Sequence, residues 1–300
     1  MLNEEVPQAT NIKTIRLDNM TYMPLTFFCG QNITTFTGGP FSMEPHTIGH
    51  CMFTHAPPFP VPISVPLIKD KIMWLEIRLS GNNYSMLLGT QLSGVIHVGL
   101  QAKATNNPFS SRFFVKLPQL MFCFNRQIHN PEHLVSFAMY PQGTALESNA
   151  VPQIIGPQLS LNTPSPFHFR AWSWAPLQNI HGITIFEQNG PGFIGMIIGY
   201  KNGGMRFIGD LGRCRMSECR RSFTKTPKRM YIERWPVPFP FCQRMPMRVN
   251  FGPRDIRHSI HTEYNEYDLE GELHFWCGPM MRPEIRVLPS GSWRSSDEIN

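Results

Sequence analysis

Long uninterrupted windows are scarce in this chain. Its 300 residues include 28 Pro and 23 Gly, and proline donates to neither a helical nor a strand ladder, so long helices are excluded. Apolar runs end at Pro, Gly or a charge well short of the ~20 residues a membrane-spanning helix needs, and no transmembrane segment is expected. The opening stretch MLNEEVPQATNIKTIRLDN is polar and acidic. It lacks the basic start, apolar run and small-residue cleavage site of an export signal, which points to a cytoplasmic or nuclear protein. Catalytic signatures are missing too: there is no G-x-S-x-G elbow, no phosphate-binding G-x-x-x-x-G-K-[ST], no H-E-x-x-H and no G-x-G-x-x-G opening a helix.

Cysteine is present without a pattern. The seven, at 29, 51, 123, 214, 219, 242 and 277, are odd in number and scattered, which suits reduced, mostly buried thiols rather than disulfides. Cys214 and Cys219 with His258 and His261 come nearest to a zinc set. The histidines are too close together, and the two pairs lie much farther apart than in a compact finger. A buried strand cysteine with exposed histidines is the favoured reading, and no metal is expected. Three Asn-x-Ser/Thr triplets, at Asn19, Asn32 and Asn83, carry no weight without export.

What is there reads as strand. With 41% hydrophobic and 12% aromatic residues, the chain can bury a sizeable core as one large or two medium domains. Residues 171–212 alternate apolar positions between glycine-marked corners, as a β-meander does. Ile183, Ile185 and Phe186 mark one strand, Phe193, Met196 and Ile198 a second, and Met205, Phe207 and Ile208 a third. Gln188–Gly192 supplies one turn. Lys201-Asn202-Gly203-Gly204 reads as a type I′ hairpin with positive φ at Asn202 and Gly203.

Around the meander, residues 1–55 read as an irregular arm. The proline-rich 56–66 should run extended; as a PxxP motif it would recruit a partner, but the interleaved Phe59, Val61, Ile63 and Val65 favour packing on the fold. A first β lobe, 56–140, has strand candidates at 72–79, 85–90, 94–102 and 112–124. Residues 141–166 read as a connection, 167–290 as a second β lobe ending in strands 272–277 and 284–288, and 291–300 as a tail.

Charge is uneven. Residues 201–260 carry a net +10 and 261–300 a net −5. Two explanations compete. Basic residues Arg220, Arg221, Lys225, Lys228 and Arg229, interleaved with Phe223, Tyr231 and Trp235, could hold nucleic acid through phosphates and stacking. Alternatively, the basic region and the acidic segment pair on one surface. No nucleic-acid motif accompanies the cations, so the first is disfavoured. Glu263, Glu266, Asp268, Glu270 and Glu272, alternating with Tyr264, Tyr267 and Leu269, read as the polar side of an extended segment.

The order Trp174, Leu177, Ile180, Ile183, Ile185, then Gly195–Tyr200, Asn202-Gly203 and Phe207–Arg215, then Val249-x-Phe251, His258-x-x-His261 and Gly271–Trp276 before Glu284–Val287, resembles a group of uncharacterised fungal proteins with a C-terminal β-rich domain. Those relatives carry a GLLFEYxDGxxRALGQCR-like strand pair and a terminal GTLEFWF strand. The resemblance spans about residues 170–288 and implies a fungal source but no activity. The Tyr-x-x-Gly strand pattern is also similar to jacalin-like β-prism lectins. The G-x-x-x-D sugar loop of that family has no counterpart here, so no sugar-binding residue carries over.

The expectation is an all-β protein of two antiparallel lobes, sandwich or β-prism-like, with little helix. It is expected to be a non-enzymatic binding or interaction module, with carbohydrate as the ligand class that the lectin likeness implies. No catalytic residue, metal or cofactor is expected; a protein or glycan is the expected partner, while nucleic acid and membrane are not. The alternative is a glycoside-active enzyme whose carboxylate pair, sought among Glu187, Asp210, Glu263, Glu266 and Asp268, faces a cleft between the lobes.

Overall fold

The computed structural model describes residues 12–16, 25–29, 33–38, 61–66, 70–80, 83–99, 109–113, 120–125, 135–140, 171–188, 192–209, 219–234, 247–251, 263–278 and 281–289. These residues form strands and turns without a helix. In chain order the strands begin with β1 (Ile12–Arg16), β2 (Leu25–Cys29), β3 (Ile33–Gly38), β4 (Val61–Val65), β5 (Ile72–Ser80), β6 (Asn83–Thr90), β7 (Gly94–Gly99), β8 (Phe109–Phe113), β9 (Leu120–Asn125) and β10 (Val135–Tyr140). Then come β11 (Ala171–Pro176), β12 (Ile180–Gln188), β13 (Gly192–Tyr200), β14 (Met205–Gly209), β15 (Cys219–Lys225), β16 (Arg229–Arg234), β17 (Met247–Asn250), β18 (Glu263–Asp268), β19 (Glu272–Gly278) and β20 (Met281–Leu288).

Every pairing among them is antiparallel. The sheets run β1-β9-β10, β3-β2-β4, β7-β6-β5-β8, β14-β13-β12-β15, β17-β16-β18 and β11-β19-β20. The protein is therefore all-β, as its punctuation by Pro and Gly demands. No helix among the described residues is long and apolar enough to cross a membrane.

Three readings need correction. Residues 1–55 are not wholly irregular: they contribute β1, β2 and β3, and β2 pairs with the proline-rich β4, placing Leu25 opposite Val65. β1 finds its partner in β9, more than a hundred residues along the chain, whereas β2 and β3 pair with each other as a local hairpin whose short strands carry little periodicity. The span 112–124 is two strands in different sheets. Its first residues finish β8 beside β5, and β9 begins at Leu120 beside β1; Pro118 lies between them, where a continuous ladder would need an N–H. The 141–166 connection, the 291–300 tail and the turn residues 189–191 lie outside the described residues.

The third correction concerns the hairpin after β13. Gly203 has φ +91, but Asn202 is not among the residues with positive φ. Gly203 N–H donates to Tyr200 O and Tyr200 N–H to Gly204 O. This is a type I turn closed by a left-handed glycine, the three-residue G1-bulge hairpin, rather than type I′. Asn202 works through its side chain instead: Oδ1 accepts from Gly204 N and Nδ2 donates to Leu92 O, 110 residues away.

One apolar cluster collects side chains from both halves of the chain. Val65, Leu75, Met86, Leu88 and Val98 pack in it with Ile183, Ile198, Ile232, Phe275 and Ile285. Each comes from the inward row of a period-two strand, which is why the alternation is legible locally.

Candidate functional site

Two constellations carry chemistry, one interior and one partly exposed. The interior one begins with the opposite row of the same strands. Across β5, β6 and β7, Glu76, Leu87 and His97 stand in register. On β11 and β19, Trp172 opposes Trp276 and Trp174 opposes His274. On β20, Arg286 opposes His274. Trp172, Trp174 and Trp276 form a buried cluster of their own, and His274 is completely buried among them. Its ring stacks on Trp172 at 5.7 Å, on Trp276 at 5.6 Å and on Trp174 at 6.3 Å. His97 reaches the same cluster, 5.0 Å from Trp172.

The hydrogen bonds assign the tautomer of His274. Trp172 Nε1–H donates to Nδ1 at 3.1 Å, so Nε2 carries the proton and donates to Glu272 Oε2 at 3.1 Å. An imidazole against a carboxylate is the usual frame of a general base. Here the lone pair such a base would use is already engaged by an indole N–H, so the pair orients side chains within the core.

Burial pushes the His274 imidazolium below its ordinary range, with Glu272 acting in the opposite direction. The sign follows from the unfolded chain, whose histidine titrates near 6.5. Stability from a neutral His274 is fully present above that value and is lost as pH falls below it toward the folded-state value. Urea midpoints are expected to drop between about pH 7 and about pH 5 in the wild type, and less steeply in His274→Gln. Parallel profiles for the two proteins would show that His274 does not titrate on folding.

Arg206 lies beneath this cluster, 2% exposed, its guanidinium 4.1 Å from the Trp174 ring centre. It donates to Ser93 O through Nε and Nη2, to Val95 O at 2.9 Å and to Trp174 O at 3.2 Å. Burial pulls it down to about 10, with Tyr200, Glu272 and Asp70 opposing, so it remains cationic at neutral pH. Asp70 completes the node. Its carboxylate accepts from Lys71 N, Leu92 N, Ser93 N and Ser93 Oγ, while Ser93 Oγ accepts from Met205 N. Buried charges of both signs thus find hydrogen bonds as well as each other.

The second constellation is on β16, β17 and β18, where Arg229, Arg248, Glu266 and Asp268 are exposed, Tyr231, Asn250 and Tyr264 are half-buried and Glu233 is buried. Met230, Ile232, Met247 and Val249 point into the core. The opposite row holds Arg229, Tyr231 and Glu233, with Arg248 and Asn250 on β17 and Tyr264, Glu266 and Asp268 on β18. Tyr231 and Tyr264 stack at 5.6 Å and 26°. Arg229 pairs with Glu266 and lies 3.5 Å from Asp268. Arg248 stands 4.0 Å from both Glu187 and Glu233. Arg234, near the core-side row, is 3.9 Å from Glu263 and donates to Ile285 O.

These contacts decide several sequence expectations. Basic β16 and acidic β18 are neighbouring strands, so at Arg229 and Arg234 the two charged regions pair with each other. The acidic residues do not form one polar side: Tyr264 shares the outward row with Glu266 and Asp268, while Tyr267 packs toward the core and Glu263 falls on its row. Among the candidate carboxylates, Glu266 and Asp268 converge, on an arginine. Glu187 meets Arg248 together with Glu233, a residue the sequence reading passed over. Asp210, Cys214, Trp235, His258 and His261 lie outside the described residues, and Cys219 begins β15. Cys277 is a buried thiol. No group of three or more potential metal ligands occurs among the described residues.

His274, His97, Arg206 and Asp70 were missed. A signal existed for the first: in Glu272–Cys277, Glu272, His274 and Trp276 alternate with Leu273, Phe275 and Cys277, so a polar–aromatic row faces away from an apolar one. No family model, curated protein or solved structure matches this chain.

Proposed function

We propose that this chain is a non-enzymatic binding module for carbohydrate, engaged on the outward face of β16–β18. The stacked Tyr231–Tyr264 pair, set among the planar polar groups of Arg229, Arg248, Asn250, Glu266 and Asp268, carries the reading. A sugar presents an apolar C–H face, which an aromatic ring can cover, and hydroxyls that both donate and accept. Guanidinium, carboxylate and amide groups answer those hydroxyls with paired hydrogen bonds of fixed direction. The same row supports binding over turnover, because its carboxylates lie against arginines instead of facing one another across a gap. The likeness to fungal β-rich proteins and to β-prism lectins is compatible with this reading and contributes no residues to it.

The test is a printed array of plant, fungal and animal glycans, followed by calorimetry on the best sugar. Tyr231→Ala and Tyr264→Ala are each expected to weaken binding about tenfold or more, with far-UV circular dichroism unchanged. An array with no reproducible binding would sink the proposal. Hydrolysis of a p-nitrophenyl glycoside that disappears in Glu266→Gln would replace it with the glycoside-active alternative.

A further inference from the structure

Among the described residues, the outer edge of β15 combines an open ladder, the exposed Lys225 with Lys228 in the turn beyond it, and one exposed aromatic ring. We propose that it accepts an acidic, extended peptide segment as an added strand. The site is on a different sheet from the sugar-binding face and does not depend on that reading.

The ladder comes first. β15 is the terminal strand of β14-β13-β12-β15. It pairs with β12 from Gly182↔Lys225 to Gln188↔Cys219, and among the described residues no strand flanks its other side. Alternate N–H and C=O groups of a seven-residue strand therefore point away from the sheet, the template used in strand addition.

The charge selects the partner. From Cys219 to Arg229 the chain has Arg220, Arg221, Lys225, Lys228 and Arg229 and no acidic residue. Arg229 is taken by Glu266 and Asp268. Lys225 and Lys228 are exposed and form no ion pair among the described residues. Cations on an edge commonly guard it against pairing with a second copy of itself. The same charges make an acidic strand the favoured partner, since repulsion of one class and attraction of another are a single specificity device.

The third observation is Phe223, midway between Arg221 and Lys225. Among the described residues it is the one large hydrophobic side chain that is exposed, at 66%. Its ring is positioned rather than free. It lies over Gly182 on the neighbouring strand, where a Cβ would come within 2.9 Å of Phe223 Cε2. Side chains of an added strand alternate like those of β15, so the matching segment has an apolar residue opposite Phe223 and acidic residues two positions to either side. A nucleic acid would satisfy the charge and the ring but not the backbone ladder, so the ladder favours peptide.

Fluorescence anisotropy with the full chain tests this, using a fluorescein-labelled peptide with Glu-Thr-Val-Thr-Glu at its centre. Binding is expected to weaken with salt. It should fall about tenfold in Phe223→Ala and in Lys225→Glu/Lys228→Glu, and vanish when alternate peptide nitrogens are methylated, because methylation removes ladder donors and keeps the charge. Undiminished binding of the methylated peptide, or an oligothymidylate that binds as tightly and displaces the peptide, would overturn the proposal. No measurable binding of the unmodified peptide at low salt would overturn it too. The methylation comparison uses wild-type protein alone, so it stands whether or not the variants fold.

Discussion

Arg206→Met is expected to cost about 3–5 kcal/mol in urea unfolding followed by tryptophan fluorescence. Methionine retains the length and apolar stem of the side chain but has no donor. Ser93 O, Val95 O and Trp174 O would each lose a charge-assisted hydrogen bond, and an acceptor stranded in the interior bears its full desolvation penalty. The Asp70 carboxylate would lose a nearby countercharge, and Trp174 the cation over its ring. Lys201→Met, on the exposed turn of the adjacent hairpin, is the control and should leave the midpoint almost unchanged. A loss for Arg206→Met below about 1 kcal/mol would show that the guanidinium is not satisfied in the way these distances describe.

The second large effect is expected at Gly204 and not at its neighbour. Gly203 takes the left-handed turn position at φ +91, where a Cβ would meet Leu92 Cδ1 at 3.9 Å, an ordinary van der Waals contact. Alanine there meets backbone strain alone, about 1 kcal/mol. A Cβ on Gly204 would lie 2.7 Å from Leu92 O and 2.9 Å from Ser93 N. That backbone is held by Asp70 and by Asn202, so it cannot retreat without breaking the node around Arg206. Gly204→Ala should therefore cost about 2–3 kcal/mol, in the range of overpacked interiors. Glu266→Gln removes a surface ion pair with an exposed arginine and should fall within the scatter of the measurement. Equal midpoints for Gly204→Ala and Gly203→Ala would mean that the hairpin does not dock on the 91–93 turn.

Legibility followed locality. β12, β13 and β14 appear where the alternation of Ile183, Ile185, Met196, Ile198 and Ile208 puts them; β19 and β20 also appear, with β19 running on through Gly278 and β20 starting at Met281, ahead of the strand expected at 284–288. Period two is a property of a few consecutive residues, and a wrong register would turn every apolar side chain outward. Errors arose where a partner strand or a side-chain contact overruled the pattern. In β14 the sequence marks Met205, Phe207 and Ile208, yet Arg206 is buried on the same row as Ile208. A guanidinium tolerates that position only because carbonyls from Ser93, Val95 and Trp174 meet it there. Asn202-Gly203 favours a type I′ turn, but a contact with Leu92, 110 positions away in the chain, accompanies a different one.

The sequence by itself determined the secondary-structure class and the inward rows of the best-patterned strands, because proline and glycine spacing forbids long helices and alternation specifies which face is apolar. Tertiary structure alone decided what the remaining charged and polar residues do. Whether His274 titrates in water or sits neutral between indoles depends on strands brought together from residues 172 and 274. Whether Arg229 greets a ligand or pairs with Glu266 depends likewise on residues far apart in the chain. Coulomb and desolvation energies depend on distance and burial in space, and neither is encoded in a residue's neighbours along the chain.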